Sequence, residues 1–508
     1  MRSVYIFMLI GFFIISRLEA KGNVVVALSS APNNLSPFFA TDANSQNLNK
    51  LIHVSLLDFN QSMQFECHAC ESYSESVLEG KHVFKFKLKP NLTFSNGDKL
   101  VAQDVYQSFL YFVRDEKINS TFKGAFESIE SIEVLNDLEF KLVFKGFSLE
   151  NFSNLILFKI VKIKESNHSD LDPIKVLGAG EYVLTKVEPL EVILTPRTLG
   201  KPNLTFKVVK DETTLALKLI NKEVDLSVAT MSPRKIDWLK KQGEIKTWEE
   251  KSGNFIFMGP NFQNQFLAEE KFRKALSMLI PREDILKYKL KSTATLSNGM
   301  FSAAFKDVHE DKSLPDSYNP RGAETLLKSL GLNKKSDGYF YKNDQKVLLQ
   351  WKVNNNKSSI EIVEVIKSYF EKAGIAIEMS ILEWGTFMSQ YKAGKYDLVL
   401  GQWIGFTGPD MLRFVFHTEN MPPKGGNRIR MSDIEFDHLI DFATVQTNEK
   451  LRKDAYQKAY QYINSKMPYI NLWHPNTIWI GSRCLQNIVL NPSGNFKSLA
   501  NLEFNCGK

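Results

Sequence analysis

The stretch FSNGDKLVAQDVYQSF, residues 94–109, joins an Asn-Gly turn to a segment with helical apolar spacing. Val105, Phe109 and Phe112 recur at intervals of three and four, which puts them on one face of a helix. Just upstream, HVFKFKLKP alternates Phe84, Phe86 and Leu88 with Lys85, Lys87 and Lys89. Downstream, LEFKLVFKGF does the same with Leu138, Phe140, Leu142 and Phe144. Period-two alternation with one charged face predicts half-buried antiparallel strands. The quoted stretch is therefore the turn and helix of a β-rich unit.

The second half of the chain has another rhythm. SSIEIVEVIKSYFEKAGIAIEMSILEW predicts a helix through Phe370, a stop at Gly374, and a strand through Ile375, Ile377, Met379 and Ile381. A short helix with Phe387 and Tyr391 follows, then Gly394 and the strand YDLVLGQW. Such alternation predicts an α/β domain with crossovers. In SDIEFDHLIDFA, Ser432 and Glu435 have capping-box spacing, with Ser432 as N-cap. EKLRKDAYQKAYQYINSKMP is a second amphipathic helix closed by Pro468.

With 508 residues, 43% of them hydrophobic and 24% charged, the chain has core enough for two to four domains. Its 64 basic and 57 acidic residues are interspersed, without the basic stripe that nucleic-acid binding needs. MRSVYIFMLIGFFIISRLEA, residues 1–20, reads as a secretory signal, with Arg2 ahead of an apolar run too short to span a bilayer. No cysteine lies close behind that run, which argues against a lipoprotein.

Four cysteines, Cys67, Cys70, Cys484 and Cys506, form two locally spaced pairs. In an exported chain an even number favours disulfides, Cys67 with Cys70 and Cys484 with Cys506. A zinc site needs four ligands, and the second pair is too widely spaced to match the CHAC half. No cofactor is expected. The chain also lacks G-x-S-x-G, H-E-x-x-H and a P-loop, and GAGEYV from Gly178 lacks the third glycine of a dinucleotide loop. Triads assemble from distant positions, so an exported hydrolase stays as the rival class.

LKPNLTFSNGDKLVAQDVYQSF resembles the signature of extracytoplasmic solute-binding proteins of the peptide/nickel ABC-importer class, typified by oligopeptide-binding proteins. The likeness continues in order through APNNLSPFFATDANS, GAGEYVLTKVE, NKEVDLSV, EEKFRKALSMLIPREDIL, YDLVLGQW, FDHLIDFA and KLRKDAYQKAYQYINSKMPYINLW. Val101 stands where the family often has a helix-capping Thr, a difference of about 1 kcal/mol.

The resemblance implies an α/β fold: a bilobal periplasmic-binding-protein clamshell, type II-like, with an extra β-rich domain inserted in the first lobe. Lobe one is expected at residues 21–60, 175–253 and 480–508, the extra domain at 61–174 and lobe two at 254–479. It further implies a non-enzymatic, monomeric periplasmic receptor that closes on a peptide or peptide-like small molecule and delivers it to an ABC permease. An oligosaccharide or a metal chelate is the alternative ligand.

Several site residues follow from the same motifs. In LGQWIGFTGPD, Trp403 matches the family's pocket tryptophan, and Gln402 stands beside it. Peptide binders place an Arg before that tryptophan and an Asp after it. Here those positions hold Leu400 and Phe406, an apolar wall that disfavours free peptide termini. Asn261, Trp473, His474 and Asn34 complete the expected set.

Overall fold

The computed structural model describes residues 22–163, 172–229, 231–305, 308, 316–405 and 408–505. The expected export signal, Phe406 and Cys506 lie outside these. No helix among the described residues is long and apolar enough to cross a membrane.

The two alternating segments pair where their patterns predict. Strands Cys70–Leu78, Lys81–Leu88, Glu139–Phe144 and Ile129–Val134 lie side by side as a four-stranded antiparallel sheet. Phe84, Phe86, Phe140, Leu142 and Phe144 are buried on its inner face, while Lys85 and Lys87 are exposed. Helix Ala102–Val113 brings Val105, Phe109 and Phe112 into the same core. Each such buried side chain contributes about 1.5–3 kcal/mol of transfer free energy.

The turn between them is closed by local bonds. Gly97 takes φ 92°, and Phe94 N–H donates to the Asp98 carbonyl at 2.8 Å. Val101 has no capping side chain, but Asp104 accepts from the Val101 N–H at 2.8 Å. The stretch then serves as a joint. Arg197 donates to the Phe94 carbonyl at 2.9 Å, the Thr93 hydroxyl at 2.6 Å and the Gly180 carbonyl at 3.0 Å. Ser95 N–H reaches the Gly178 carbonyl at 2.9 Å.

GAGEYV is a packing element. The end of helix Ala43–Ile52 lies directly on it, and a Cβ on Gly178 would stand 2.0 Å from the Ile52 carbonyl oxygen. Gly180 N–H donates to that same oxygen at 2.8 Å. The glycines allow a backbone approach that no larger residue permits.

A twelve-stranded sheet runs through the molecule. Its central strand, Ile470–Ser482, is thirteen residues long. From Asn476 onward it pairs with strand Ile245–Lys251, whereas at Trp473 and before it pairs with strand Phe255–Pro260. One strand thus belongs to both halves of a bilobal α/β fold. The switch of partners falls between Trp473 and Asn476.

In the second half the glycines act as their positions predict. Helix Lys357–Ala373 ends on Gly374 at φ 97°, and helix Trp384–Ala393 ends on Gly394 at φ 72°. Strands Ala376–Leu382 and Leu398–Trp403 follow them. One cap differs from expectation. The N-cap of helix Ile434–Thr444 is Asp433, whose carboxylate accepts from Phe436 N–H at 3.0 Å, while the Ser432 hydroxyl is engaged by Thr418. Cys67 and Cys70 form a disulfide, and Cys484 is disulfide-bonded.

Candidate functional site

Strand direction locates the site. In lobe one, Asn23–Leu28 runs parallel to Asn203–Val208 and to Leu226–Ser227. In lobe two, Leu348–Asn354 runs parallel to Ala376–Leu382 and Leu398–Trp403. The long central strand is antiparallel to Leu226–Ser227, with Ser227 opposite Ile480. It is also antiparallel to Phe255–Pro260, with Ile256 opposite Trp473, and Phe255 in turn lies opposite Trp403. The carboxyl ends of both parallel sets therefore point at the middle of the central strand from opposite sides. Ligands of open α/β sheets bind outside those ends. The side chains offered there include Ser30, Asn33 and Asn34 from lobe one, and Asn355, Trp384 and Ile404 from lobe two, all exposed.

The residues expected from sequence are distributed unevenly around this cleft. Trp403 closes its strand at the cleft, yet is only 8% exposed. Its indole N–H donates to the Tyr469 hydroxyl at 3.2 Å, and Phe414 meets it edge-on at 6.3 Å. Gln402 is exposed beside it. Leu400 is buried in the other core, with Leu398 and Trp351, because three residues along a strand reverse the face. Leu400 and Trp403 do not share one wall. Phe406 lies outside the described residues.

The other four separate further. The Asn261 side-chain N–H groups bond the carbonyls of Gly394 at 3.0 Å and Tyr396 at 2.8 Å, and its oxygen accepts from Gln263 N–H at 3.0 Å. That amide is spent on holding a loop. Trp473 is fully buried with Leu472 and Ile470 in the lobe-two core. His474 Nδ1 donates to the Asn254 carbonyl at 2.9 Å, one residue ahead of strand Phe255–Pro260. Asn34 is exposed at the lobe-one side, its oxygen accepting from Ser36 N–H at 2.8 Å.

Around Trp403 stands a group that motif reading did not assemble. Tyr469 stacks on Phe257 with centroids 3.8 Å apart. The Arg428 guanidinium lies 4.8 Å from the Trp403 ring centroid and 5.4 Å from that of Tyr391. Burial pushes the Tyr469 and Tyr396 hydroxyls well above the usual phenol range, so both are neutral donors. Asp410, half-buried past the end of the same segment, has its carboxyl raised to about 6 by burial, with Glu150 of helix Glu150–Leu157 adding to it. The signal for Arg428 was the two cations in GGNRIRM, which has no periodic pattern of its own.

A cavity of about 460 Å³ lined by Glu270, Lys271, Tyr460 and Asn464 lies elsewhere, between helices Glu270–Met278 and Glu449–Ser465. Among the described residues, no cluster of three or more His, Cys, Asp or Glu side chains is arranged to hold a metal ion.

Comparison with known proteins agrees with this architecture. Residues 68–421 match the family model "Bacterial extracellular solute-binding proteins, family 5 Middle". The oligopeptide-binding protein AppA of Bacillus subtilis is 25% identical over 481 residues, covering 90% of this chain and 87% of its own length. NikZ of Campylobacter jejuni, solved in complex with Ni(L-His), superposes with a TM-score of 0.74 at 22% identity, covering 95% of this chain and 100% of that one. DppA of Helicobacter pylori, solved with the peptide STSA, gives 0.70 at 19% identity, covering 96% and 98%. With the family model spanning more than half its length, this chain belongs to the bacterial extracellular solute-binding proteins of family 5.

Proposed function

We propose that the protein is the periplasmic receptor of an ABC importer for a peptide or peptide-like solute, working as a monomer and catalysing no reaction. The observation that carries this reading is the convergence of both sets of strand ends on one cleft spanned by the continuous strand Ile470–Ser482. The likeness to an oligopeptide-binding protein over 90% of the chain supports a peptide as the solute.

The closing motion has a natural axis in this reading. We assign the crossings between lobes to residues 252–254 and 475–476. There the Ser252 hydroxyl donates to the Pro475 carbonyl, and Asn254 N–H donates to the Ser252 hydroxyl at 3.0 Å. His474 braces the same point through Asn254. Two short, bonded crossings permit rotation of one lobe on the other while preventing their separation. Closure then replaces water by the walls of both lobes and strengthens every polar contact inside.

The test is native mass spectrometry of the exported protein purified without denaturation. A co-purifying mass that fragments as a peptide supports the proposal. An oligosaccharide or a metal chelate in its place overturns the ligand class, and turnover of an ester or peptide substrate by the purified protein overturns the receptor role.

A further inference from the structure

The motif CHAC, residues 67–70, is closed by a disulfide between Cys67 and Cys70. Cys67 is half-buried at the end of strand Phe65–Cys67, whose one strand partner among the described residues is Leu57–Phe59. Cys70 is fully buried at the start of strand Cys70–Leu78.

The sulfur bridge is not what holds this turn. Cys67 lies opposite Leu57, and Cys70 opposite Leu88. Between them His68 N–H donates to the Leu56 carbonyl at 2.9 Å, and Ala69 N–H to the Ser55 carbonyl at 3.0 Å. The Ala69 carbonyl accepts from Lys89 N–H at 3.0 Å, and His68 Nδ1 accepts from Ser55 N–H at 3.3 Å. A disulfide stabilises mainly by restricting the unfolded chain, and a bridge across so short a loop restricts it little. Backbone bonds to neighbouring strands fix the turn with or without the bridge.

The surroundings suit the reduced state as well as the oxidised one. The Lys89 ammonium donates to the His68 carbonyl at 2.7 Å, inside the turn itself. Lys50 and Lys497 reach Asp58 at 2.7 and 3.4 Å, and Lys497 stands 3.7 Å from Glu66. Lys87 is matched by Glu71 at 2.8 Å. Lysines thus outnumber carboxylates beside the motif, and positive charge favours a thiolate. On the buried side, Cys70 Sγ lies 3.4 Å from the Leu56 carbonyl oxygen. That oxygen is an acceptor for a thiol S–H, which only the reduced cysteine carries.

We propose that Cys67–Cys70 is a redox-active bridge, a thiol–disulfide exchange site whose substrate is a dithiol. One thiolate of the dithiol attacks Cys67 Sγ, the sulfur–sulfur bond breaks, and Cys70 leaves as a thiolate that takes up a proton. The second thiol of the dithiol then attacks the mixed disulfide and releases Cys67. The dithiol gives up two electrons and two protons and becomes a disulfide, while the bridge becomes two thiols. Afterwards the Cys70 thiol donates to the Leu56 carbonyl, and the turn keeps its backbone bonds.

The experiment incubates the folded mature protein with graded concentrations of reduced dithiothreitol, alkylates the freed thiols and maps them by peptide mass. The disulfide of Cys484 is the internal reference. Cys67 and Cys70 should be freed at a dithiothreitol concentration lower by about ten-fold or more than Cys484 requires, with the melting temperature unchanged. A parallel incubation with glutathione, a monothiol, should leave its mixed disulfide on Cys67. Reduction of both bridges together, or of Cys67–Cys70 only as the fold is lost, makes this bridge a structural staple and overturns the proposal. A mixed disulfide on Cys70 overturns the assigned attack. The double variant Cys67→Ser, Cys70→Ser gives a second reading: melting like that of the natural protein supports the exchange role, and a large drop overturns it.

Discussion

Arg452 Nη2 lies 3.4 Å from Glu75 Oε1, joining helix Glu449–Ser465 to strand Cys70–Leu78 across 377 positions of sequence. Arg452 is 6% exposed and also donates to the Gln446 and Thr447 carbonyls, while Glu75 meets His82 Nε2 at 3.2 Å. Burial works to raise the Glu75 pKa, but the His82 and Arg452 contacts outweigh it and hold the carboxyl below its ordinary range. Arg452→Met is expected to lower unfolding stability by about 2 kcal/mol, since it leaves Glu75 half-buried with one partner fewer. A double-mutant cycle with Glu75→Gln in urea titrations should return a coupling of about 0.5–3 kcal/mol. Strict additivity would mean the contact is incidental.

Gly178→Ala should be among the most damaging single changes in the chain. Its new methyl would meet the Ile52 carbonyl at 2.0 Å and His53 Nδ1 at 2.7 Å, and backbone cannot yield as a side chain can. Overpacking of this kind costs about 1–3 kcal/mol or more. Gly243→Ala, with open space at the same atom, is the control and should be near neutral. Urea midpoints of the two variants decide the matter.

Trp403 has two roles to lose. At 8% exposure its removal to Ala should destabilise the fold by about 3–5 kcal/mol, more than a residue that only lines a cleft. Trp403→Phe keeps most of the area but leaves the buried Tyr469 hydroxyl without its donor, a loss of about 1 kcal/mol. Both variants should weaken peptide binding in calorimetry, since the strand that Trp403 closes ends at the cleft. Unchanged affinity in a folded Trp403→Phe protein would detach the tryptophan from the ligand.

Stability should rise with pH through the acid range. Burial, with Lys159 adding to it, pushes His53 down to about 3, and burial with Lys497 pushes His68 to about 3. Unfolded, both titrate near 6.5, so between those values the unfolded chain binds more protons and acid favours it. The loss begins as pH falls through 6.5, at up to about 1.4 kcal/mol per pH unit for each histidine. Buried Lys159 is lowered to about 7 against an unfolded value of 10.5, so its penalty is fully present below 7 and fades as pH rises above it. Lys159→Met should abolish the alkaline gain in melting temperature. Its persistence would assign that gain to another group.

Period-two and helical spacing were enough to place the β-rich insert, the helices ending on Gly374 and Gly394, and the strands after them. Each of these is decided within one segment, by side-chain direction and by the φ a glycine permits. The opposite facing of Leu400 and Trp403 was also legible, since three steps along a strand always reverse the side. What the order of residues left open was every relation across the sheet. The convergence of both strand sets on one cleft depends on the pairing of Ile470–Ser482 with partners more than two hundred positions away. The seating of Arg428 on Trp403 depends on Asn427 and Tyr396 fixing a loop with no periodicity. Local spacing sets which face of an element is apolar. Which elements meet is set by the burial of those faces against one another, a property of the whole chain.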